Sequence, residues 1–240
     1  LGLELGGHAP VLVFDDADLE LAVAGALASK YRNAGQTCIC ANRVYVQAGI
    51  HDRFVEALTK ASEALSVGDG FTAGTHIGPL VDDRAVAKVE EHIADAVAGG
   101  AAVVTGGKRL PPPHGHADRF FAPTVITGVK PGMAIMVEET FGPVAPVIRF
   151  EDEADAIAKA NDTPYGLAAY LYTRDASRLI RVAEGLEYGI IGANDGLPST
   201  PQAPFGGVKE SGLGREGGKW GLEEYLETKF VSWKIDQPEG

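Results

Sequence analysis

Short solid apolar runs alternate along the chain with longer stretches in which apolar residues return every three or four positions. Val11-Leu12-Val13-Phe14 is such a run. In residues 18–32, Leu19, Val23, Ala26, Leu27 and Tyr31 then follow at helical spacing, with Asp15 and Asp16 as candidate N-caps. Residues 43–47 read as a strand and 51–65 as a helix with Phe54, Leu58 and Leu65 on one face. A second long helix at 82–98 carries the stripe Val86, Val89, Ile93 and Val97, and Gly99-Gly100 ends it. Residues 101–105 read as a buried strand closed by Gly106-Gly107. Beyond it, 121–127, 144–150, 167–172 and 188–193 read as strands, with helices at 152–161 and 175–184. This β-α-β-α rhythm predicts an α/β fold with a mostly parallel sheet flanked by helices. Residues 110–119, with three prolines and two histidines, read as a surface loop. The Gly-, Pro- and Ser-rich stretch 198–218 reads as an ordered loop, followed by a short helix at 220–225 and an apolar terminal strand at 229–235.

Composition narrows the class without naming it. Of 240 residues, 45% are hydrophobic and 22% charged, which excludes a disordered chain. No apolar run reaches the roughly 18–20 residues of a membrane helix. A net charge of −12 argues against nucleic acid or an anionic membrane surface as partner. Two cysteines cannot build a disulfide framework, so a reducing, cytoplasmic location is expected. There is no signal peptide, and Leu1-Gly2-Leu3-Glu4-Leu5-Gly6-Gly7 opens in mid-stride, as the interior of a longer chain would.

The candidate chemistry centres on Asn33-Ala34-Gly35-Gln36-Thr37-Cys38-Ile39-Cys40. Gly35 permits a tight turn after the preceding helix, and the residues beyond it could open a new one. A thiol at a helix N-terminus meets oriented N–H groups that lower its pKa and could hold an oxyanion. Cys38 therefore suits a nucleophile, although local sequence alone favours a buried structural thiol. Cys40 reads as a core thiol; a Cys38–Cys40 bridge is strained at that separation. Glu4, between Leu3 and Leu5, reads as a partly desolvated general base or as a solvated strand end. The six histidines are scattered, so no metal site is expected. Gly212-Leu213-Gly214-Arg215-Glu216-Gly217 spells a dinucleotide fingerprint but lacks the strand before it and the βαβ unit after it. Asn161-Asp162-Thr163 is a glycosylation sequon in letter only.

Taken together these segments resemble the aldehyde dehydrogenase superfamily. Glu4-Leu5-Gly6-Gly7 and Gly35-Gln36-Thr37-Cys38, with 34 positions from Glu4 to Cys38, resemble its first two motifs. Glu138-Glu139-Thr140-Phe141-Gly142-Pro143 resembles the third, and the stretch from Pro204-Phe205-Gly206-Gly207 to Gly214-Arg215-Glu216 the fourth. The resemblance implies that Cys38 adds to an aldehyde, that hydride passes to NAD or NADP, and that Glu4 activates the water that releases the acid. It implies that Glu139 contacts the nicotinamide ribose, that Phe141 packs by the nicotinamide, and that Leu5 belongs to the cofactor-binding set. Tyr31-Arg32-Asn33-Ala34-Gly35-Gln36-Thr37-Cys38-Ile39-Cys40-Ala41-Asn42-Arg43 and Asn194-Asp195-Gly196-Leu197-Pro198-Ser199 are similar to the succinate-semialdehyde dehydrogenases. Arg32 would then anchor the distal carboxylate, Ser199 would add a hydroxyl donor, and Cys40 could act as a redox partner of Cys38. A glutarate semialdehyde remains the alternative substrate.

The resemblance also implies an organisation. Residues 1–208 would form the catalytic domain, 209–226 a segment returning toward a cofactor domain, and 227–240 an oligomerisation strand and tail of a homodimer or homotetramer. The family's dinucleotide-binding domain precedes the counterpart of Glu4 and has no equivalent here. NAD against NADP therefore stays open, and the chain alone is expected not to oxidise aldehydes. Residues 110–119 are slightly long for the family and read as a surface insertion.

Overall fold

The computed structural model describes residues 2–235. Its elements are β1 (Leu3–Glu4), β2 (Ala9–Val13), α1 (Leu19–Tyr31), β3 (Ala41–Gln47), α2 (His51–Glu63), α3 (Asp83–Ala98), β4 (Ala102–Thr105), β5 (Thr124–Thr127), α4 (Ala134–Val137), β6 (Val144–Phe150), α5 (Glu153–Asn161), β7 (Tyr165–Gly166), β8 (Ala168–Tyr172), α6 (Ala176–Gly185), β9 (Ile190–Ala193), β10 (Val208–Lys209), β11 (Gly212–Leu213) and α7 (Trp220–Glu223). The central sheet has seven strands in the order β4-β5-β6-β3-β2-β8-β9. Every pairing is parallel except β4 with β5. Helices cover both faces, so the central strands are buried on both sides and read as unbroken apolar runs. Alternate residues feed two cores. Val11, Val13, Val44 and Val46 pack with α1, α2 and α3; Leu12, Phe14, Tyr45 and Phe150 pack with α5 and α6.

Most predicted elements are present, and the departures have physical causes. Asp18 caps α1 instead of Asp15 or Asp16, accepting from the Leu21 N–H. Asp16 is drawn away by the Thr173 hydroxyl, the Arg174 and Asp175 N–H groups and the Arg178 guanidinium. On α3, Val97 is exposed and His92 and Ala96 take the inward places. β4 is an exposed antiparallel edge, not a buried strand, because only β5 flanks it. The 229–235 stretch, expected as a strand, has no partner among the described residues, and Phe230, Val231, Trp233 and Ile235 stand in solvent. Residues 236–240 of that expected tail lie outside the described residues. No helix opens after Cys38: residues 37–40 make a turn, closed by the Cys40 N–H on the Thr37 carbonyl, that runs directly into β3. Among the described residues, no helix is long and apolar enough to cross a membrane.

Two buried cations were not anticipated from the pattern. Arg43 lies fully inside and donates to the His8, Lys159 and Ala160 carbonyls and to the Tyr188 hydroxyl, tying β2 and β3 to α5. Lys30 is buried on α1 and donates to Asn42 Oδ1 at 3.0 Å.

The turn at Arg32–Gly35 places Asn33, Ala34 and Gly35 in the left-handed region, with φ of 51°, 57° and 76°. A Cβ on Gly35 would lie 2.2 Å from the Gly142 carbonyl oxygen. Gly35→Ala therefore meets both backbone strain and a clash with main chain. It should lower the unfolding free energy by more than about 1 kcal/mol in urea denaturation.

Candidate active site

The loops that enter β2, β3, β6 and β8 meet at the amino ends of the parallel strands, and every candidate residue but Ser199 lies on them. The segment before β2 runs against the segment before β3: a side chain on Gly7 would sit 2.3 Å from the Cys38 carbonyl oxygen. Gly35 lies equally close to the segment before β6. The fourth motif closes the group through β11, antiparallel to β1 with Glu4 opposite Gly212. Ser211 is the clasp. Its buried hydroxyl donates to the Gly6 carbonyl at 2.7 Å and accepts from Gly166 N–H at 3.0 Å, while its carbonyl accepts from Leu5 N–H.

Within this frame Cys38 and Glu4 are partners. Both are half-buried, and the Glu4 carboxyl lies close enough to the Cys38 thiol that each shifts the other's titration. Burial, then the Glu4 charge, push the thiol up to about 12. Burial also raises the Glu4 carboxyl, which the Cys38 contact partly offsets. This overturns the expectation of a thiol acidified by a helix N-terminus: the chain enters a strand here, so no helix dipole reaches the sulfur, and a carboxylate takes its place beside it. The pair suits proton transfer from thiol to carboxylate rather than a standing thiolate. Glu4 Oε1 is buried with no hydrogen-bond partner. Cys40 is buried, its sulfur 2.8 Å from Thr37 Oγ1, and both cysteines are free thiols.

Glu139 reaches the same place from the other side. Its Oε1 accepts from Gly7 N–H at 3.1 Å, and burial raises its pKa against the pull of that N–H and of Lys88 and Lys30. Phe141, next but one, is half-buried and held in the left-handed region at φ 52°. Leu5 is exposed beside Glu4. Arg32 stands exposed just past α1, and Ser199 is exposed on the loop leaving β9, whose Gly196 packs on Gly25 of α1. Among the described residues neither side chain makes a hydrogen bond or ion pair. A cavity of about 620 Å³ reaches Glu4 and is walled by Leu3, Phe205, Arg215, Glu216 and Tyr225; Cys38 is not on its wall. Among the described residues no group of three or more His, Cys, Asp or Glu is placed to hold a metal ion.

The sequence reading passed over Lys30, Lys88, His92 and Ser211. Lys30 and His92 carried a signal, since each sits on the apolar face of its helix, where an unpaired polar group is costly. Lys88 and Ser211 carried none.

The sequence model of the aldehyde dehydrogenase family matches residues 1–231. The chain is 61% identical over 231 residues to the NADP(+) succinate-semialdehyde dehydrogenase of Escherichia coli (strain K12), covering 96% of this chain and 47% of that protein. It is 59% identical, over the same shares of each chain, to the glutarate-semialdehyde dehydrogenase of Pseudomonas aeruginosa. Among solved structures, an NADP dependent enzyme of E. coli superposes with a TM-score of 0.90 at 62% identity, covering 94% of this chain and 46% of the other. The chain thus spans about half the length of the curated relatives it matches.

The thiol and carboxylate make one prediction independent of any substrate. Alkylation of Cys38 by iodoacetamide should rise with pH through pH 10 without a plateau, because the thiol titrates near 12. Glu4→Gln removes the negative neighbour, so its profile should shift to lower pH. A plateau near the ordinary thiol pKa of roughly 8.5 in the unaltered protein would contradict the pairing.

Proposed function

The chain belongs to the aldehyde dehydrogenase family, and on that premise we propose that it carries the catalytic half of an NAD(P)-dependent semialdehyde dehydrogenase, with succinate semialdehyde as substrate. The observation that supports it most is the gathering of the Glu4 and Glu139 carboxyls about the Cys38 thiol, with Glu139 held on the Gly7 N–H. A base paired with a thiol is what adding sulfur to a carbonyl requires.

In this reading Glu4 takes the thiol proton as Cys38 Sγ bonds to the aldehyde carbon. The backbone N–H of Cys38 steadies the carbonyl oxygen as it gains negative charge. NAD or NADP, when bound, accepts the hydride whose loss leaves a thioester on Cys38. Once Glu4 has released that proton to solvent, it takes one from water, whose attack breaks the C–S bond and releases the carboxylic acid, and passes it to the departing sulfur to restore the thiol. The residues present fit such a dinucleotide. Glu139 spends Oε1 on Gly7 N–H, and glycine at position 6 keeps side-chain atoms away from Oε2, which a Cβ would approach to 2.9 Å. That oxygen serves the ribose hydroxyls, with Leu5 and Phe141 beside the nicotinamide.

Succinate and glutarate semialdehydes share a distal carboxylate, the group named in both curated relatives. Arg32, exposed and unpaired among the described residues, supplies a cation for it, and Ser199 a hydroxyl. Glutarate semialdehyde, one methylene longer, is the alternative. Cys40, sealed beside Thr37, is a redox partner for Cys38 only if the turn opens. The exposed tail side chains Phe230, Trp233 and Ile235 support assembly as a homodimer or homotetramer in which this segment pairs with a second copy.

Two experiments on the complete protein that carries this sequence test the reading. Arg32→Ala should raise KM about 10–100-fold for succinate semialdehyde and leave propanal unchanged, the loss of one charge-assisted contact. Equal slowing of both aldehydes removes Arg32 as the anchor. Glu4→Gln should slow turnover and, through the thiolate that forms without a base, accumulate an acyl adduct on Cys38, seen as a mass increase after mixing with aldehyde and dinucleotide; unaltered turnover with no adduct removes Glu4 as the base.

A further inference from the structure

The segment that presents Glu139 has no regular structure of its own. Residues 138–143 lie between α4 and β6, outside both, and contain the left-handed Phe141. Backbone of this kind keeps one conformation only if something outside it holds it. The holder is one face of α3. Lys88 Nζ donates to the Glu139 carbonyl at 2.7 Å. Four residues on, one turn along the same face, the buried His92 ring meets the buried Thr140 hydroxyl at 3.2 Å through Nδ1 and faces the Glu138 carboxylate at 3.5 Å through Nε2. Between them Val89 packs so closely on Gly142 that a Cβ there would lie 2.3 Å from Val89 Cγ2.

We propose that Lys88 and His92 are positioning residues that hold Glu139 in its cofactor-facing pose by gripping Glu138, Glu139 and Thr140 from behind. This rests on the reading of Glu139 as the ribose contact. Glu139 is fixed from two sides: its carbonyl by α3, its carboxylate by the Gly7 N–H of the first motif. Neither α3 residue touches the reacting atoms. A neutral His92 ring, kept so by burial, with its proton on Nε2, satisfies both of its neighbours at once, receiving the Thr140 hydroxyl on Nδ1. Without the ring, the Thr140 hydroxyl loses its partner and the segment is free to turn. Without the Lys88 amine, the Glu139 carbonyl is released directly. Either change loosens a carboxylate that must meet two ribose hydroxyls in one geometry, so its cost falls on dinucleotide binding.

The test is calorimetric titration of NAD⁺ and of NADP⁺ into the complete protein, alongside steady-state kinetics. Lys88→Met keeps the half-exposed stem and loses the donor, so it retains the fold. His92→Leu removes both ring nitrogens, while His92→Asn keeps a polar group where Nδ1 stands. Lys88→Met and His92→Leu should each weaken binding of the preferred dinucleotide about ten-fold and raise its KM in step, leaving the aldehyde KM unchanged. His92→Asn should recover most of the loss, which a merely space-filling histidine would not show. Unchanged dinucleotide affinity in Lys88→Met, or a loss spread equally over aldehyde and dinucleotide, overturns the proposal. Glu139→Gln separates the two failures: if it weakens binding while Lys88→Met does not, the grip is wrong and the ribose contact stands. If Glu139→Gln itself leaves affinity intact, the ribose contact fails and the proposal with it.

Discussion

The site depends on main chain touching main chain. Glu4, Cys38 and Glu139 lie far apart in sequence, and no side-chain interaction would survive if the strands carrying them were spaced by ordinary side chains. Glycine at positions 7 and 35 lets the first motif lie on the carbonyl of Cys38 and the second on the carbonyl of Gly142. With those contacts in place, the Glu4 carboxyl reaches the thiol and the Glu139 carboxylate reaches an N–H of the neighbouring segment. Ser211 then locks the fourth motif across the first with two hydrogen bonds, to Gly6 and Leu5, and ties both to Gly166 with a third. The geometry is held by backbone, which explains how a half-buried carboxylate and a half-buried thiol stay paired without a cation beside them.

The location is unusual for this architecture. Open α/β sheets ordinarily bind ligands outside the carboxyl ends of their strands. Here Glu4, Cys38 and Glu139 precede β2, β3 and β6 and gather at the amino ends. The loops there are tight and glycine-rich, and two short antiparallel pairs, β1 with β11 and β7 with β10, cover them. The helices behind serve the site too. α1 ends in the turn that carries Cys38, and α3 lays Lys88 and His92 against the segment holding Glu139.

Electrostatically, the site relies on a proton that can move rather than on charge held in place. Burial makes both the Glu4 carboxyl and the Cys38 thiol reluctant to ionise; the thiol eases ionisation of Glu4, while the Glu4 charge opposes ionisation of the thiol further. One negative charge shared between them avoids the cost of two. Lys30, buried beneath the turn with its pKa lowered to about 8, draws Glu139 toward its charged form without a direct hydrogen bond to it.

Much of this was legible in the residues alone. Apolar periodicity marked the helices and central strands, because burial on one face or two leaves a direct trace in residue type. The four motifs marked Glu4, Cys38 and Glu139, because chemistry that needs a thiol, a carboxylate and bare backbone admits few substitutes. The exposed edge at β4, the capping by Asp18 and the unpaired tail were not legible, since each turns on which neighbour is present rather than on local pattern. Nor was the state of the sulfur. Local sequence pointed to a helix beyond Cys38 and an acidified thiol; the fold set a strand there and Glu4 beside it, and a pKa answers to the charges and solvent around a group, which only the assembled tertiary structure decides.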